Sequence, residues 1–382
     1  MTSARPADGN IVTLDLVDFV PELRADFVRR DVGGECIVWS PLAAEPAVLD
    51  PVATVMLDVV DGEASMGQLA LDVCEAVGVP IETAERQVTR IIEQFAQAGL
   101  LTASTANSTA EEAITQRELF ASSPTPCTEN ASRLGTVTHT LRLGEHTVRV
   151  ACDSRRGSQK LRAAFADHLA DGGEDAALAF VLTAPAALKR THLLVDRSGF
   201  VLSEGRGLDA GLHAMASHLT ALLPAAPGTV RIRARGIVSG DRTIMCLFPL
   251  LFFPVIGERE LARAGLHLID RLALDIELAT GHVANLPVPW SALSNLGAGP
   301  THVGTGDRGP VSAVVHAAPP PGSAPPTQAA IVATIAANGL HGSIADLLDA
   351  AVLLVQSAEV SSTSLEPKPF IELLKELGAA DS

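Results

Sequence analysis

Residues 46–78 read PAVLDPVATVMLDVVDGEASMGQLALDVCEAVG, and nearly every boundary in this stretch is marked by a residue with a local reason to be there. Asp50 followed by Pro51 is helix-start chemistry. The aspartate accepts from otherwise orphaned first-turn amides, and proline at the first helical position gives up an N–H that has no partner there. This helix is predicted to end at Asp61-Gly62. Ser65 is placed to cap a second helix, which Gly78 stops. Pro46 opens a brief strand, PAVLD. Because proline cannot donate to a ladder, such a strand belongs at a sheet edge, with a free side.

Working outward, the upstream segments ADFVRRDV and ECIVWSP are rich in strand formers and separated by Gly33 and Gly34, a hairpin signal. Downstream, IETAERQVTRIIEQFAQAGLL places Val88, Ile91, Ile92 and Phe95 on one face of a third helix that closes at Gly99. The predicted order is strand, strand, short strand and three helices, a winged-helix-like module over residues 23–102.

These residues resemble a family, the PqqD-like RiPP recognition elements, which bind leader peptides of ribosomally made, post-translationally modified peptides. The hairpin, the block VLDPVATVMLDVVDGEASMGQLALDVCEA and the terminal VTRIIEQFAQAGLL carry the resemblance. It implies that a leader binds as an added strand along the third strand, with its side chains against the third helix. An edge strand suits that role because its unpaired N–H and C=O groups can be satisfied by an extended peptide. Ala47, Val48 and Leu49 would supply the ladder, and Arg86, Arg90 and Gln94 would form a stripe on the third helix, away from its apolar face. Two simpler roles stand beside these: Arg86 as an exposed pair with Glu82 four residues earlier, and Leu49 as a core residue.

Charge argues against the other common ligand of such a module. Residues 23–102 carry five arginines, no lysine and thirteen acids, a surface that repels nucleic-acid phosphate. The whole chain of 382 residues has a formal net charge of −16 and only four lysines: Lys160, Lys189, Lys368 and Lys375. Its length suggests two domains, and 47% hydrophobic residues leave material for two cores. The five scattered cysteines form no CxxC pair, so reduced thiols are expected. The opening MTSARPADGN lacks the apolar region of a secretory signal, which points to a cytoplasmic protein.

Residues 103–133 are rich in Ser, Thr, Ala and Pro and read as a linker. A second such stretch, HAAPPPGSAPPTQ at residues 316–328, is expected to separate the body of a second domain from a helical tail. Between them strands and helices alternate from about residue 135. This order, with ARAGLHLIDRLALDIELATGHV at residues 262–283, resembles the HPr kinase-like family, and Asp270 falls at that family's acidic position.

That family's phosphate loop would lie within MCLFPLLFFPVIGER, residues 245–259. A P-loop needs glycines for backbone approach, a lysine for phosphate charge and a hydroxyl for magnesium. This segment offers one late glycine and neither of the others, and no lysine occurs between Lys189 and Lys368. Bulky Leu250, Leu251, Phe252 and Phe253 would fill the space of a triphosphate. The apolar run of residues 244–256 is also too short for a bilayer, which needs roughly 20 residues. Phe252 and Phe253 are therefore read as core, or as the apolar centre of a contact with a partner enzyme. No G-x-S-x-G elbow or H-E-x-x-H pattern occurs, and His213 and His218, five apart, fall on different sides of a helix.

The sequence thus predicts an α+β chain. A PqqD-like domain at residues 23–102 follows an extension at residues 1–22, and a degenerate HPr kinase-like α/β domain occupies residues 134–382. The expected function is non-catalytic: recognition of a precursor's leader peptide and its presentation to a modifying enzyme, in a setting such as the daptide pathways. No cofactor, metal, nucleic acid or membrane is expected. The alternative is a divergent kinase acting on a peptide or small molecule through an atypical nucleotide site.

Overall fold

A computed structural model describes residues 18–102, 137–144, 146–171, 178–183, 191–196, 201–247, 258–269, 273–284, 302–303, 309–320, 322–363 and 366–379. The expected linker at residues 103–133, most of the amino-terminal extension, Asp270, Phe252 and Phe253 lie outside the described residues. The chain divides into two compact units, Met1–Phe120 and Ala121–Ser382.

The first unit follows the order read from the sequence. Strands β1 (Val28–Val32), β2 (Glu35–Trp39) and β3 (Ala47–Leu49) form an antiparallel sheet in the order β1-β2-β3. Gly33 and Gly34 make the first turn with φ of 61° and 85°. Positive φ at both central residues is what a tight hairpin turn needs to match strand twist, and glycine reaches it without steric cost.

Helix α1 (Pro51–Val59) is capped by Asp50, whose carboxylate accepts from the Ala53 N–H at 2.8 Å. Helix α2 (Met66–Val77) is capped by Ser65, which accepts from the Gln68 N–H at 3.3 Å, and Gly78 ends it in the left-handed region with φ of 73°. Helix α3 (Ile81–Gln97) turns Ala84, Val88, Ile91, Ile92 and Phe95 into the core, where they meet Cys36, Val38 and Leu49 from the sheet. Of these, the Val, Leu, Ile and Phe side chains each contribute about 1.5–3 kcal/mol by leaving water. That burial, more than helix propensity, holds the unit together.

Among the described residues the second unit contains three sheets. One has the order β6-β4-β5-β7-β8-β9, built from β4 (Val137–Leu143), β5 (His146–Cys152), β6 (Leu169–Ala170), β7 (Leu178–Thr183), β8 (Thr191–Asp196) and β9 (Val201–Arg206). Helices α4 (Arg155–Ala164) and α5 (Leu208–Leu222) share its core. The others are a four-stranded sheet, β15-β14-β10-β18, and a six-stranded sheet, β16-β13-β11-β12-β17-β19. They comprise β10 (Thr229–Ile232), β11 (Arg235–Ser239), β12 (Arg242–Cys246), β13 (Leu266–Ile269), β14 (Leu274–Glu277), β15 (Val283–Ala284), β16 (His302–Val303), β17 (Val311–Ala317), β18 (Gly339–His341) and β19 (Glu359–Thr363). Helix α6 (Glu258–Arg263) follows the segment where the phosphate loop was sought. Helices α7 (Gln328–Ala337), α8 (Ile344–Ser357) and α9 (Pro367–Ala379) complete the chain.

The residues after the proline-rich stretch are more than the expected helical tail. Strand β18 pairs antiparallel with β10, and β19 pairs parallel with β17. Phe370, Leu374 and Leu377 of α9 are buried with Ile237, Ile244 and Cys246 of β11 and β12. The prolines interrupt secondary structure without ending the domain, because the strands beyond them satisfy backbone groups of strands that precede them.

One polar arrangement in this unit is fully buried. Arg231 of β10 is 1% exposed and forms a bidentate pair with Asp275 of β14, at 2.7 and 3.0 Å. Its remaining N–H groups donate to the carbonyls of Thr220 at 3.0 Å and Pro224 at 3.3 Å, and to that of Leu223. The guanidinium therefore satisfies carbonyls at the end of α5 while its charge is neutralised from β14.

The described cysteines, Cys36, Cys74, Cys152 and Cys246, are free. Burial pushes the Cys36 thiol up to about 11 and the Cys152 thiol up to about 12, and raises that of Cys246. All three are protonated at neutral pH and poor nucleophiles. Among the described residues no helix is long and apolar enough to cross a membrane, and no three His, Cys, Asp or Glu side chains gather as a metal site.

Candidate functional site

The edge of the first unit's sheet carries the residues singled out from the sequence. Among the described residues β3 pairs only with β2, through Cys36↔Leu49, Ile37↔Val48 and Val38↔Ala47, so its outer side has no neighbouring strand. The short strand is consistent with its start after Pro46 and its end at the helix cap Asp50.

Side chains alternate along it. Leu49 is fully buried and Ala47 packs against the same core, while Val48, between them, is half-buried and belongs to the opposite face. A peptide added at this edge would meet only the outward-facing backbone groups of β3, which belong to alternate residues because the others bond β2, and not the side chain of Leu49, which serves the core.

Besides the core packing on Leu49, a polar contact ties helix α3 to the residue that follows this strand. Arg90 Nη2 donates to Asp50 Oδ2 at 3.5 Å, while Asp50 Oδ1 holds the Ala53 N–H of α1. Asp50 thus closes β3, starts α1 and meets α3. The side chains of Arg90 and Asp50 are 66% and 43% exposed, so water screens the pair and its net worth is below about 1 kcal/mol. A guanidinium held this weakly is available to an incoming carboxylate or carbonyl.

Arg86, one turn earlier, is exposed and donates from Nη2 to Thr83 Oγ1 at 3.3 Å rather than pairing with Glu82. Gln94, one turn later, is half-buried. The three residues form the expected stripe, and Arg90 is the one tied to β3. Asp50 is the site residue that sequence reasoning read only as a helix cap. Its position directly after an edge strand, opposite a helix bearing arginines, was the available signal.

The opposite edge, β1, differs in charge. Arg29 donates to Asp58 of α1 at 2.5 Å and to Asp31 at 3.3 Å, so its guanidinium is already engaged by two carboxylates.

In the second unit, two histidines are paired with serines. His139 Nε2 lies 2.7 Å from Ser158 Oγ, and His192 Nε2 lies 2.9 Å from Ser203 Oγ. Burial, with the Arg162 charge adding to it, lowers the His139 pKa and keeps that ring neutral. Each pair ties neighbouring elements, β4 to α4 and β8 to β9. Residues 248–257, where the resemblance to HPr kinase-like proteins would put a phosphate loop, lie outside the described residues, bounded by β12 and α6.

Neither the comparison with curated proteins nor that with solved structures found a match. Residues 43–101, which run from just after β2 through β3 and all three helices to Leu101, match the family described as Coenzyme PQQ synthesis protein D (PqqD), so this part of the chain carries a PqqD domain.

Proposed function

We propose that the first unit binds the leader segment of a ribosomally made precursor peptide by adding it as a strand along β3. The observation that carries this reading is the unpaired outer side of β3 beside the exposed Arg90, inside a PqqD domain. The PqqD family is associated with RiPP precursor binding, which supports a recognition role. In this reading the module is winged-helix-like, main-chain hydrogen bonds supply affinity, and Arg86, Arg90 and Gln94 of α3 select side chains of the leader. The protein acts as a non-catalytic adaptor that presents the precursor to a modifying enzyme, in a pathway of the daptide kind. Its second unit is a degenerate HPr kinase-like scaffold, a reading supported by the missing P-loop lysine and hydroxyl in residues 245–259. Phe252 and Phe253 would then serve as core or as a contact for that enzyme.

Fluorescence polarisation with the leader of the cognate precursor tests the site. Arg90→Glu and Val48→Pro should each weaken binding by about 1–3 kcal/mol, the first by reversing a charge at the cleft and the second by removing a backbone donor. Unchanged affinity in both variants, with folding intact by circular dichroism, places the leader elsewhere. Saturable binding of magnesium-ATP with turnover of a peptide substrate would instead favour a kinase.

A further inference from the structure

A cavity of about 280 Å³ in the second unit is lined by Leu247, His316, Pro319, Pro326, Ile331 and Thr334, among others. It lies where parallel strands end. Cys246 of β12 is in register with Val315 of β17, and Leu247 and His316 are the next residues of each. The carboxyl ends of parallel strands are where α/β sheets present ligand sites.

The chemistry of this cavity is opposite to that of a phosphate site. Among the described lining residues there is no lysine or arginine. The Leu247 N–H already donates to Val315 O at 2.9 Å, and the Ala318 N–H beside the cavity donates to Thr363 O at 2.8 Å. Pro319 and Pro326 have no N–H to offer. The Thr334 hydroxyl spends its proton on Ala330 O at 2.8 Å, so its oxygen can only accept from a ligand. His316 Nδ1 lies 2.9 Å from Ala317 O. A carbonyl cannot donate, so Nδ1 carries the proton and Nε2 of the neutral ring is an acceptor. Among the described lining residues the side chains thus combine aliphatic surface with two acceptors and supply no cationic donor of the kind that holds an anion.

We propose that this cavity binds a neutral peptide segment anchored by one large apolar side chain, whose amide N–H groups meet Thr334 Oγ1 and His316 Nε2. The volume falls just under the range, about 300–1,000 Å³, of pockets that enclose a whole small-molecule ligand, and suits a single large side chain. A free small amide would share this chemistry, and the test separates the two. The inference is independent of the β3 edge.

The probes are the blocked tripeptide alanyl-phenylalanyl-alanine amide, N-acetylphenylalanine amide, N-acetylphenylalanine carboxylate and magnesium-ATP, each titrated against the full chain by ligand-observed NMR. The tripeptide should bind saturably, at least fivefold tighter than the single amide and at least tenfold tighter than the carboxylate or ATP. Ala324 is an exposed lining residue, so Ala324→Trp should plug the cavity and weaken the tripeptide at least tenfold without unfolding the chain. Thr334→Val, at another exposed position, should weaken it severalfold by removing one acceptor. Arg90→Glu should leave this binding unchanged. Equal binding of the single amide would assign the cavity to a small molecule and overturn the peptide. Equal or tighter binding of carboxylate or ATP, or a tripeptide affinity indifferent to Ala324→Trp, would overturn the site itself.

Discussion

Each unit of the chain contains an arginine paired with an aspartate, and the two pairs do opposite things. Arg90 and Asp50 meet at 3.5 Å with side chains 66% and 43% exposed. Arg231 and Asp275 meet at 2.7 and 3.0 Å with side chains 1% and 3% exposed. In the first case water has already solvated both charges, so the contact adds little and can be exchanged for a ligand. In the second, desolvation has been offset by geometry: a fork-to-fork pair, with carbonyls at the end of α5 taking the remaining donors. The same two residue types make one pair that water already shares and one that is locked in the core. Burial is what separates them.

The sharpest way to break this contrast is to remove one partner from the buried pair. Arg231→Ala should cost about 3–5 kcal/mol, because it leaves Asp275 charged without water or a counter-ion. The double variant Arg231→Met, Asp275→Leu should recover much of that loss by deleting both charges. Urea unfolding of the second unit, followed by a probe within Ala121–Ser382, checks both. A single variant that costs less than about 1 kcal/mol would mean the pair is not desolvated in solution.

At the exposed pair the effect should be smaller and should divide by chemistry. Asp50→Ala removes the cap of α1 and should lose about 0.5–2 kcal/mol, whereas Asp50→Asn keeps a capping oxygen and should lose only a few tenths. Thermal unfolding of the first unit separates the two. Equal losses in both variants would show that the charge contact with Arg90, rather than the cap, carries the stability.

The smallest effect distinguishes the units by pH. Met1–Phe120 contains no histidine, while all eleven of the chain's histidines lie in Ala121–Ser382. Burial lowers the pKa of His139, His213 and His341, with the nearby charges of Arg162, Arg235 and Arg231 respectively adding to it. Their unfolded value is about 6.5. Between the folded and unfolded values the unfolded chain binds more protons, so stability rises with pH there. Their contribution is fully present above about 6.5 and is lost as the pH falls through the folded values. Hydrogen exchange between pH 7.5 and 5 should therefore show the second unit opening more readily, with no histidine-linked change in the first. A first unit that loosens as much as the second would remove histidine protonation as the cause.

The legibility of the two units from sequence differs for the same physical reason. In the first unit the helix starts at Asp50-Pro51 and Ser65, the stop at Gly78 and the Gly33-Gly34 turn are set by groups within a few residues of one another. Reading them in order gives the elements and their sequence, and the third helix's apolar face follows from its spacing. The candidate site was legible as far as β3 and the stripe Arg86, Arg90, Gln94. The contact that singles out Arg90 joins residues 40 apart and could not be read from either neighbourhood.

In the second unit the sequence drew attention to Asp270, which lies outside the described residues, and not to Asp275, which pairs in the core with Arg231, 44 residues away. Of the arginines in TVRIRARG, Arg231 and Arg235 are both 1% exposed, and nothing in their immediate neighbourhood names the partners that make this burial possible. The stretch after the prolines shows helices in its pattern but hides that β18 and β19 complete two different sheets. What the sequence alone determined was therefore local: caps, turns and helix faces. Which charge is buried and where the carboxy-terminal strands pair were decided by tertiary structure. Those outcomes depend on partners brought together only when the chain folds, and on the water that folding removes.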